Sequence, residues 1–296
     1  LLESFISKAE AKQRRGRAGR VREGVSYKLF SKAVYEEMVS MPAPEIKRIA
    51  LESLYLSVKS MGIKNVTKFL AGGLEAPPSL ALEKAERLLV TIGLLEEETN
   101  ALTELGKFIS LIPVMDIKYG KLLIYSIIFG LTDVGILAAS VLSEGVLPFL
   151  GGLENRDNIR SILSKYKSKG DLFATMEIMQ EYISLSDSRA KSKFMKENLL
   201  SYNKVNNILS ARSQYYSNLK DIGFIPMNYK PNNQGSFNRN SGNFKILSSI
   251  LTGAFYPNVA RIQLPDPKFF ATSSGAIEKD PEAKQIKYWI RSEEYI

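Results

Sequence analysis

The stretch Ser7–Arg20, S-K-A-E-A-K-Q-R-R-G-R-A-G-R, opens with a serine followed three residues later by Glu10. That pairing is a capping box and predicts a helix starting just after Ser7. If the helix continues, Gln13, Arg17 and Arg20 stand at i, i+4 and i+7 and share one face, with Arg14 starting a neighbouring one. Gly16 and Gly19 fall between them, where a missing side chain lets a backbone or a phosphate come close. Two arginines and a glutamine aimed one way suit a polyanion: guanidinium forks pair with phosphate oxygens, and an amide can orient a water. The plain alternative for a basic run is a solvated face or a nuclear-targeting patch.

The order of residues separates these readings. Q-R-R-G-R-A-G-R at 13–20, followed by V-R-E-G-V-S-Y-K-L-F at 21–30, resembles motif VI of the superfamily 2 helicases in its DEAH-box/RNA helicase A-like form. In that family the motif faces the ATP γ-phosphate from the second RecA-like lobe. The resemblance therefore implies nucleotide-contacting roles for Gln13, Arg14, Arg17, Gly19 and Arg20. Gln13, Arg17 and Arg20 become the catalytic candidates, with Arg17 and Arg20 as arginine fingers that stabilise charge on the transferred phosphoryl group.

Composition narrows the chemistry from the other side. The 296 residues contain no cysteine and no histidine, which excludes a disulfide framework, His-based triads and the usual zinc sites. A net charge of +9 is unevenly spread. Residues 1–30 carry eight basic and three acidic groups, whereas residues 31–100 are slightly acidic and the rest mildly basic. That distribution suits a phosphate site plus a diffuse nucleic-acid track. The greasiest region, Leu122–Leu150, is broken by Thr132-Asp133, Ser143-Glu144-Gly145 and Pro148. Its apolar runs fall short of the ~20 residues a spanning helix needs, so buried core helices are expected and no membrane association. Leu1 rather than Met suggests a piece of something longer.

Along the chain, Val25–Phe30 alternates like a strand, which would make residues 1–40 the tail of an α/β lobe. Pro44-Glu45 predicts a helix running to Gly62, Asn65 caps a short second one, and Pro77-Pro78-Ser79 opens a third with Leu82, Ala85, Leu88, Leu89 and Ile92 inward. A hairpin turning at Thr99-Asn100 follows, and 41–102 reads as a winged helix. Its third helix is not basic, so a packing module is expected rather than a groove reader. Residues 103–226 are helical almost throughout, with helices expected near 103–111, 116–130, 132–142, 157–167, 171–184, 188–200 and 202–222. Residues 227–243 are polar, Asn/Gly-rich and aperiodic, the composition of a flexible connector. Phe244–Ala254 is an apolar helix, and 259–264, 268–271 and 285–291 are strand candidates.

The resemblance extends over these segments. P-E-I-K-R at 44–48, L-E-A-P-P at 74–78 and A-L-T-E-L-G-K at 101–107 are similar to the degenerate winged helix of the family. Gly170-Asp171 and F-M-K-E-N-L-L-S at 194–201 resemble its helical-bundle (ratchet) domain, and G-A-F-Y-P-N-V-A-R-I at 253–262 the start of its oligonucleotide/oligosaccharide-binding (OB) domain. The expected fold is thus mainly α: the end of a RecA-like α/β lobe (1–40), a winged helix (41–102), a ratchet domain (103–226), a connector (227–243) and a partial OB-fold (244–296).

No G-x-x-x-x-G-K-[ST] loop and no D-E-A-H box occur in the sequence. The resemblance then implies half of a composite ATP site, with the phosphate loop and Mg²⁺ ligands on an upstream RecA-like lobe. The implied partners are that lobe, single-stranded RNA held by its backbone, and a protein cofactor on the winged-helix or OB surface, in the nucleus or cytoplasm. Candidate RNA-contacting residues are Arg156, Arg160, Lys165, Lys167, Lys169, Arg189, Lys191, Lys193 and Lys196 on the helical region, with Arg261 and Lys268 beside the first strands. The competing reading is a non-catalytic nucleic-acid-binding or scaffold module whose arginines hold RNA phosphates rather than ATP.

Overall fold

Short polar side chains set most helix starts. Ser7, Ser31, Asn65, Thr103, Asp116, Asp187 and Asn243 each accept a hydrogen bond from a backbone N–H two or three residues on, satisfying donors that the first helical turn leaves open. The computed structural model describes residues 6–113, 116–145, 147–166, 170–232, 235–272, 275–279 and 283–290. The chain divides into two compact units, Leu1–Thr91 and Ile92–Ile296.

The first unit contains α1 (Lys8–Arg15), α2 (Lys32–Glu37), α3 (Glu52–Ser60), α4 (Val66–Ala71) and α5 (Ser79–Thr91). Leu51, Tyr55, Leu56 and Val58 form a buried stripe that packs on Leu82, Ala85 and Leu89 of α5. Tyr55 donates its hydroxyl to Glu86 across this contact, and the buried Lys59 ammonium donates to the Lys64 carbonyl at 2.8 Å. The helix expected from Pro44 onward starts later than its sequence suggests. Only one 3-10 turn forms at Glu45–Lys47, Ile49 is exposed, and α3 begins at Glu52. The stripe that can reach α5 starts at Leu51, and Ile46 and Ile49 are out of phase with it.

The second unit opens with a minimal hairpin bridged at Leu95 and Leu102 and turning through Asn100, whose φ is +51°. Then come α6 (Glu104–Leu111), α7 (Ile117–Ile128), α8 (Thr132–Ser143), α9 (Arg156–Lys165), α10 (Asp171–Ser184), α11 (Ser188–Glu197), α12 (Tyr202–Asp221) and α13 (Phe244–Phe255). α8 is buried on nearly every side and packs against α7, α10 and α12, while α13 covers α7. Such all-round burial is what an apolar helix with no polar face requires. Its buried Ser140 hydroxyl turns back onto the Ile136 carbonyl, as Ser126 of α7 does onto Leu122, so neither is left unpaired. Lys121 is buried too, donates to the Ile92 carbonyl at 3.2 Å, and is pushed below its ordinary pKa by loss of water. Among the described residues no helix is long and apolar enough to cross a membrane.

Residues 227–232 and 235–243, read from composition as a connector, contain a 3-10 turn at Ser236–Asn238 and are tied by hydrogen bonds to α8 and to the Phe129-Gly130 turn. Beyond α13 lie β1 (Ala260–Gln263), β2 (Lys268–Thr272), β3 (Gly275–Lys279) and β4 (Lys287–Ile290). They form two separate antiparallel pairs, β1 with β4 and β2 with β3, with Arg261 opposite Trp289. Three of these strands match the sequence expectation. β3, G-A-I-E-K, carries too little alternation to have been singled out.

One expectation fails in the first unit. Residues 25–30 form no strand, and Val25, Tyr27 and Leu29 stand 74%, 86% and 100% exposed. Alternation specifies which face each side chain would take, but a strand exists only when a second strand pairs with its backbone, and no described segment does so.

Candidate nucleotide-facing loop and basic surfaces

Ser7 anchors the arginine-bearing segment. Its side chain is buried, it accepts from the Glu10 N–H at 3.1 Å, and its backbone N–H and hydroxyl each donate to Glu10 Oε2 at 2.8 Å. These bonds, from the backbone first, hold the Glu10 carboxyl below its usual range, with Arg48 and Arg14 adding smaller attractions. The first turn of α1 is docked by Lys8 N–H to Val39 O and Ala9 N–H to Ser40 O, at 2.9 and 3.0 Å. Lys8 Nζ donates to the Glu36 carbonyl at 2.7 Å. Ala11 is the buried residue of this helix, and everything from Lys12 to Arg17 is exposed.

α1 ends at Arg15, one turn before the segment's last two arginines. Gly16 caps it, Arg17 and Ala18 continue as tight turns on the Arg14 and Arg15 carbonyls, and Gly19 reverses the chain at φ +79°. Only glycine adopts that conformation without cost. Gly24 then returns against the reversal: a Cβ there would lie 2.8 Å from Gly19 N and 3.2 Å from Ala18 Cβ. The expected single helical face carrying Gln13, Arg17 and Arg20 is therefore replaced by a helix end plus a closed loop. Gln13 and Arg14 stand on the helix, and Arg17 and Arg20 on the loop.

Among the described residues none of Arg14, Arg15, Arg17, Arg20 and Arg22 forms an ion pair with a carboxylate. Basic side chains in the last turn of α1 suit the negative end of its dipole. Beyond that, several exposed guanidinium groups within a few residues repel one another and attract an external polyanion. An arrangement of glycine-framed backbone and forked cations fits a phosphate chain, and it supplies charge stabilisation rather than a nucleophile or base.

The other sequence candidates lie in the second unit. Arg156, Arg160 and Lys165 are exposed on α9; Arg189, Lys193 and Lys196 are exposed on α11, where Lys193 pairs with Glu197 at 3.7 Å. Lys191 is half-buried, its ammonium 5.6 Å from the Tyr182 ring centre. Both helices flank α10. Lys167 and Lys169 lie outside the described residues. Arg261 and Lys268 are exposed on β1 and β2, and Arg261 borders a shallow cleft with Trp289, whose indole N–H donates to Gln263 at 2.8 Å.

Composition and spacing overlooked one polar centre. Asp133 accepts from Tyr216 at 2.6 Å, Tyr229 at 2.7 Å, the Asn232 N–H at 2.6 Å and Asn238 Nδ2 at 3.0 Å. Burial first, then the acceptor Asp133, pushes both phenols well above the usual tyrosine pKa. In the sequence Thr132-Asp133 stood out as a break in the apolar region Leu122–Leu150. The one available hint was a carboxylate at the start of an apolar helix, with Asn- and Tyr-rich sequence far downstream.

No family model matches the chain. Curated proteins match it along its length. The Saccharomyces cerevisiae protein named "Putative ATP-dependent RNA helicase YLR419W" is 66% identical over 296 residues, covering 100% of this chain and 21% of that protein. The Arabidopsis thaliana "DExH-box ATP-dependent RNA helicase DExH1" is 33% identical over 301 residues, covering 100% of this chain and 29% of that protein. The Homo sapiens "Putative ATP-dependent RNA helicase DHX57" is 29% identical over 305 residues, covering 95% and 22%. The chain thus spans less than a third of the length of the curated relatives it matches.

Proposed function

We propose, from the premise that this chain is homologous over its full length to DEAH/DExH-box ATP-dependent RNA helicases, that it forms the nucleotide-sensing and RNA-guiding part of such an enzyme. Gln13, Arg17 and Arg20 serve the ATP γ-phosphate, with Arg14 and the Gly19 backbone beside them. The observation that carries this reading is the closed glycine-framed loop of Arg17 and Arg20, exposed and without carboxylate partners among the described residues.

Bound ATP supplies the phosphoryl group whose charge grows as it transfers. Arg17 and Arg20 stabilise that charge through planar, always-protonated forks, and the Gln13 amide orients the attacking water. A phosphate loop and Mg²⁺ ligands belong, in this reading, to a preceding RecA-like lobe, because the sequence contains neither motif. Residues 1–40 are then the end of the second RecA-like lobe, 41–102 a degenerate winged helix, 103–226 the ratchet domain, 227–243 a connector and 244–296 part of an OB-fold. The basic faces of α9 and α11 guide RNA by its phosphates, and lobe closure on ATP is coupled to RNA stepping.

The test is Arg17→Ala and Arg20→Ala in the full-length protein that carries this chain. Loss of an arginine finger costs on the order of 10³–10⁵ in kcat, with RNA affinity nearly unchanged. Strongly weakened RNA binding with intact ATP turnover would instead make this a nucleic-acid-binding module with no catalytic part.

A further inference from the structure

We propose that α8, α10, α12 and residues 232 and 238–242 frame a second anion site, which takes the phosphodiester backbone of RNA between Arg212 and Arg239. The proposal rests on the RNA-helicase reading above and assigns it a surface that charge counting passed over. Two neighbouring clefts share Asp133, Gln180 and Asn232 in their walls. One, of about 220 Å³, is bordered by Arg212 with Leu137, Ile183 and Ser184. The other, of about 400 Å³, is bordered by Arg239 with Asn238, Ser241 and Gly242.

The carboxylate in the shared wall makes its hydrogen bonds to groups other than these arginines. Asp133 is engaged by two phenols, a backbone N–H and the Asn238 amide, and it forms no ion pair with either guanidinium. Arg212 is held in place by stacking: its guanidinium carbon lies 5.0 Å from the Tyr216 ring centre and one terminal nitrogen donates to the Tyr216 hydroxyl at 3.3 Å. Its Nε is buried and has no acceptor among the described residues. The guanidinium is permanently charged and borders the cleft without a carboxylate paired to it, which favours an oxyanion there.

Arg239 is also placed rather than loose. Gly130, at φ +69°, makes room for it, since a Cβ there would sit 2.8 Å from Arg239 Cγ. The Asn240 N–H to Gly130 carbonyl bond, 2.9 Å, fixes the backbone beside it. Beyond Asp133 and the arginines the walls are uncharged: Gln180 is common to both clefts, and Ser184 and Ser241 donate their hydroxyls to the Glu181 and Asn238 carbonyls. Two arginines bordering adjoining clefts suit contacts to the phosphates of a strand rather than to its bases.

The test is titration of a labelled oligouridylate with the chain at several salt concentrations, for Arg212→Gln, Arg212→Lys, Arg239→Gln and the Arg212→Gln/Arg239→Gln pair. Each glutamine variant should weaken binding several-fold and reduce the salt slope by about 0.7, the pair by about twice that. Arg212→Lys should recover part of the loss. Arg239 is exposed, so its substitution does not threaten folding. If the chain binds oligouridylate with a salt slope that the pair leaves unchanged, this site is wrong and the RNA reading stands. If the chain binds no RNA at low salt, the RNA reading fails and takes this site with it. Tighter, Arg239-dependent binding of oligoglutamate than of oligouridylate would make the clefts a peptide site and overturn the proposal.

Discussion

The hydroxyl of Tyr216, near the end of α12, donates at 2.6 Å to the carboxylate of Asp133, in the first turn of α8, across 83 residues of sequence. Tyr229 reaches the same oxygen at 2.7 Å, and the two rings stack at 6.1 Å. This joint fastens Tyr229, Asn232 and Asn238 to the helical core.

Asp133→Asn should therefore destabilise the second unit well beyond the loss of a single contact. An amide cannot accept from four donors at once, and its own N–H groups would face donors. With charged-group hydrogen bonds each contributing ~1.5–3 kcal/mol, a loss of about 2–4 kcal/mol is expected, against about 1 kcal/mol for Tyr229→Phe. Urea unfolding of both variants measures it. Equal midpoints for wild type and Asp133→Asn would show that the joint contributes nothing.

Alkali should loosen the same joint. Tyr216 and Tyr229 have raised pKa values, and Tyr166 is pushed up to about 12 by desolvation and its bond to Glu181. The folded state then holds protons that the unfolded state releases near pH 10. The stability these phenols contribute is complete below about pH 10 and falls as pH rises through the folded values. Phenolate absorbance should rise in two phases, the later one coinciding with unfolding. A single phase near pH 10 in protein that remains folded would contradict the assigned network.

At the other end of the chain, Ser7→Ala should remove the capping box. Loss of such a cap costs roughly 1 kcal/mol, and the Glu10 carboxyl, held low chiefly by Ser7, should return towards the ordinary range. Because a lowered carboxylate pKa stabilises above the unfolded value and is lost on acidification, the variant should also lose less stability between neutral and acid pH. Carboxyl chemical shifts across a pH series report this. An unmoved Glu10 titration would mean that Ser7 does not govern it.

Gly24→Ala should damage the arginine loop without touching an arginine. The new Cβ would meet Gly19 N at 2.8 Å, forcing Ala18–Arg20 to shift. In the full-length protein, ATP turnover should fall at least tenfold while the affinity for RNA is unchanged. Full activity would indicate that loop closure by Gly24 is irrelevant to the nucleotide.

Much of the helical layout was legible because its signals are local. Ser7 with Glu10, Asn65 with Lys68, and Asn243 with Lys245 and Ile246 place helix starts from residues two or three apart. The misreadings share the opposite property. Whether Val25–Phe30 is a strand depends on a neighbour, and where α1 stops depends on Gly19 turning back towards Gly24. The Asp133 joint links residues up to 105 apart, so no window of sequence could reveal it. Arg17 and Arg20 were picked out by motif order, whereas Arg212 and Arg239 acquire a shared role only once α8, α10, α12 and residues 232 and 238–242 are brought together.

The helix with no polar side, α8, also imposes an order on how this protein can be made. At ~5–20 residues per second a ribosome finishes α8 several seconds before Asp221, the last residue of the helix that covers it. Until Ser184 is added, Val134, Ile136, Leu137 and Val141 have α7 as a neighbour but neither α10 nor α12, and from there to Asp221 they still lack a complete α12. The nascent chain is thus most vulnerable to aggregation, and most in need of a chaperone, while residues 144–221 are being synthesised.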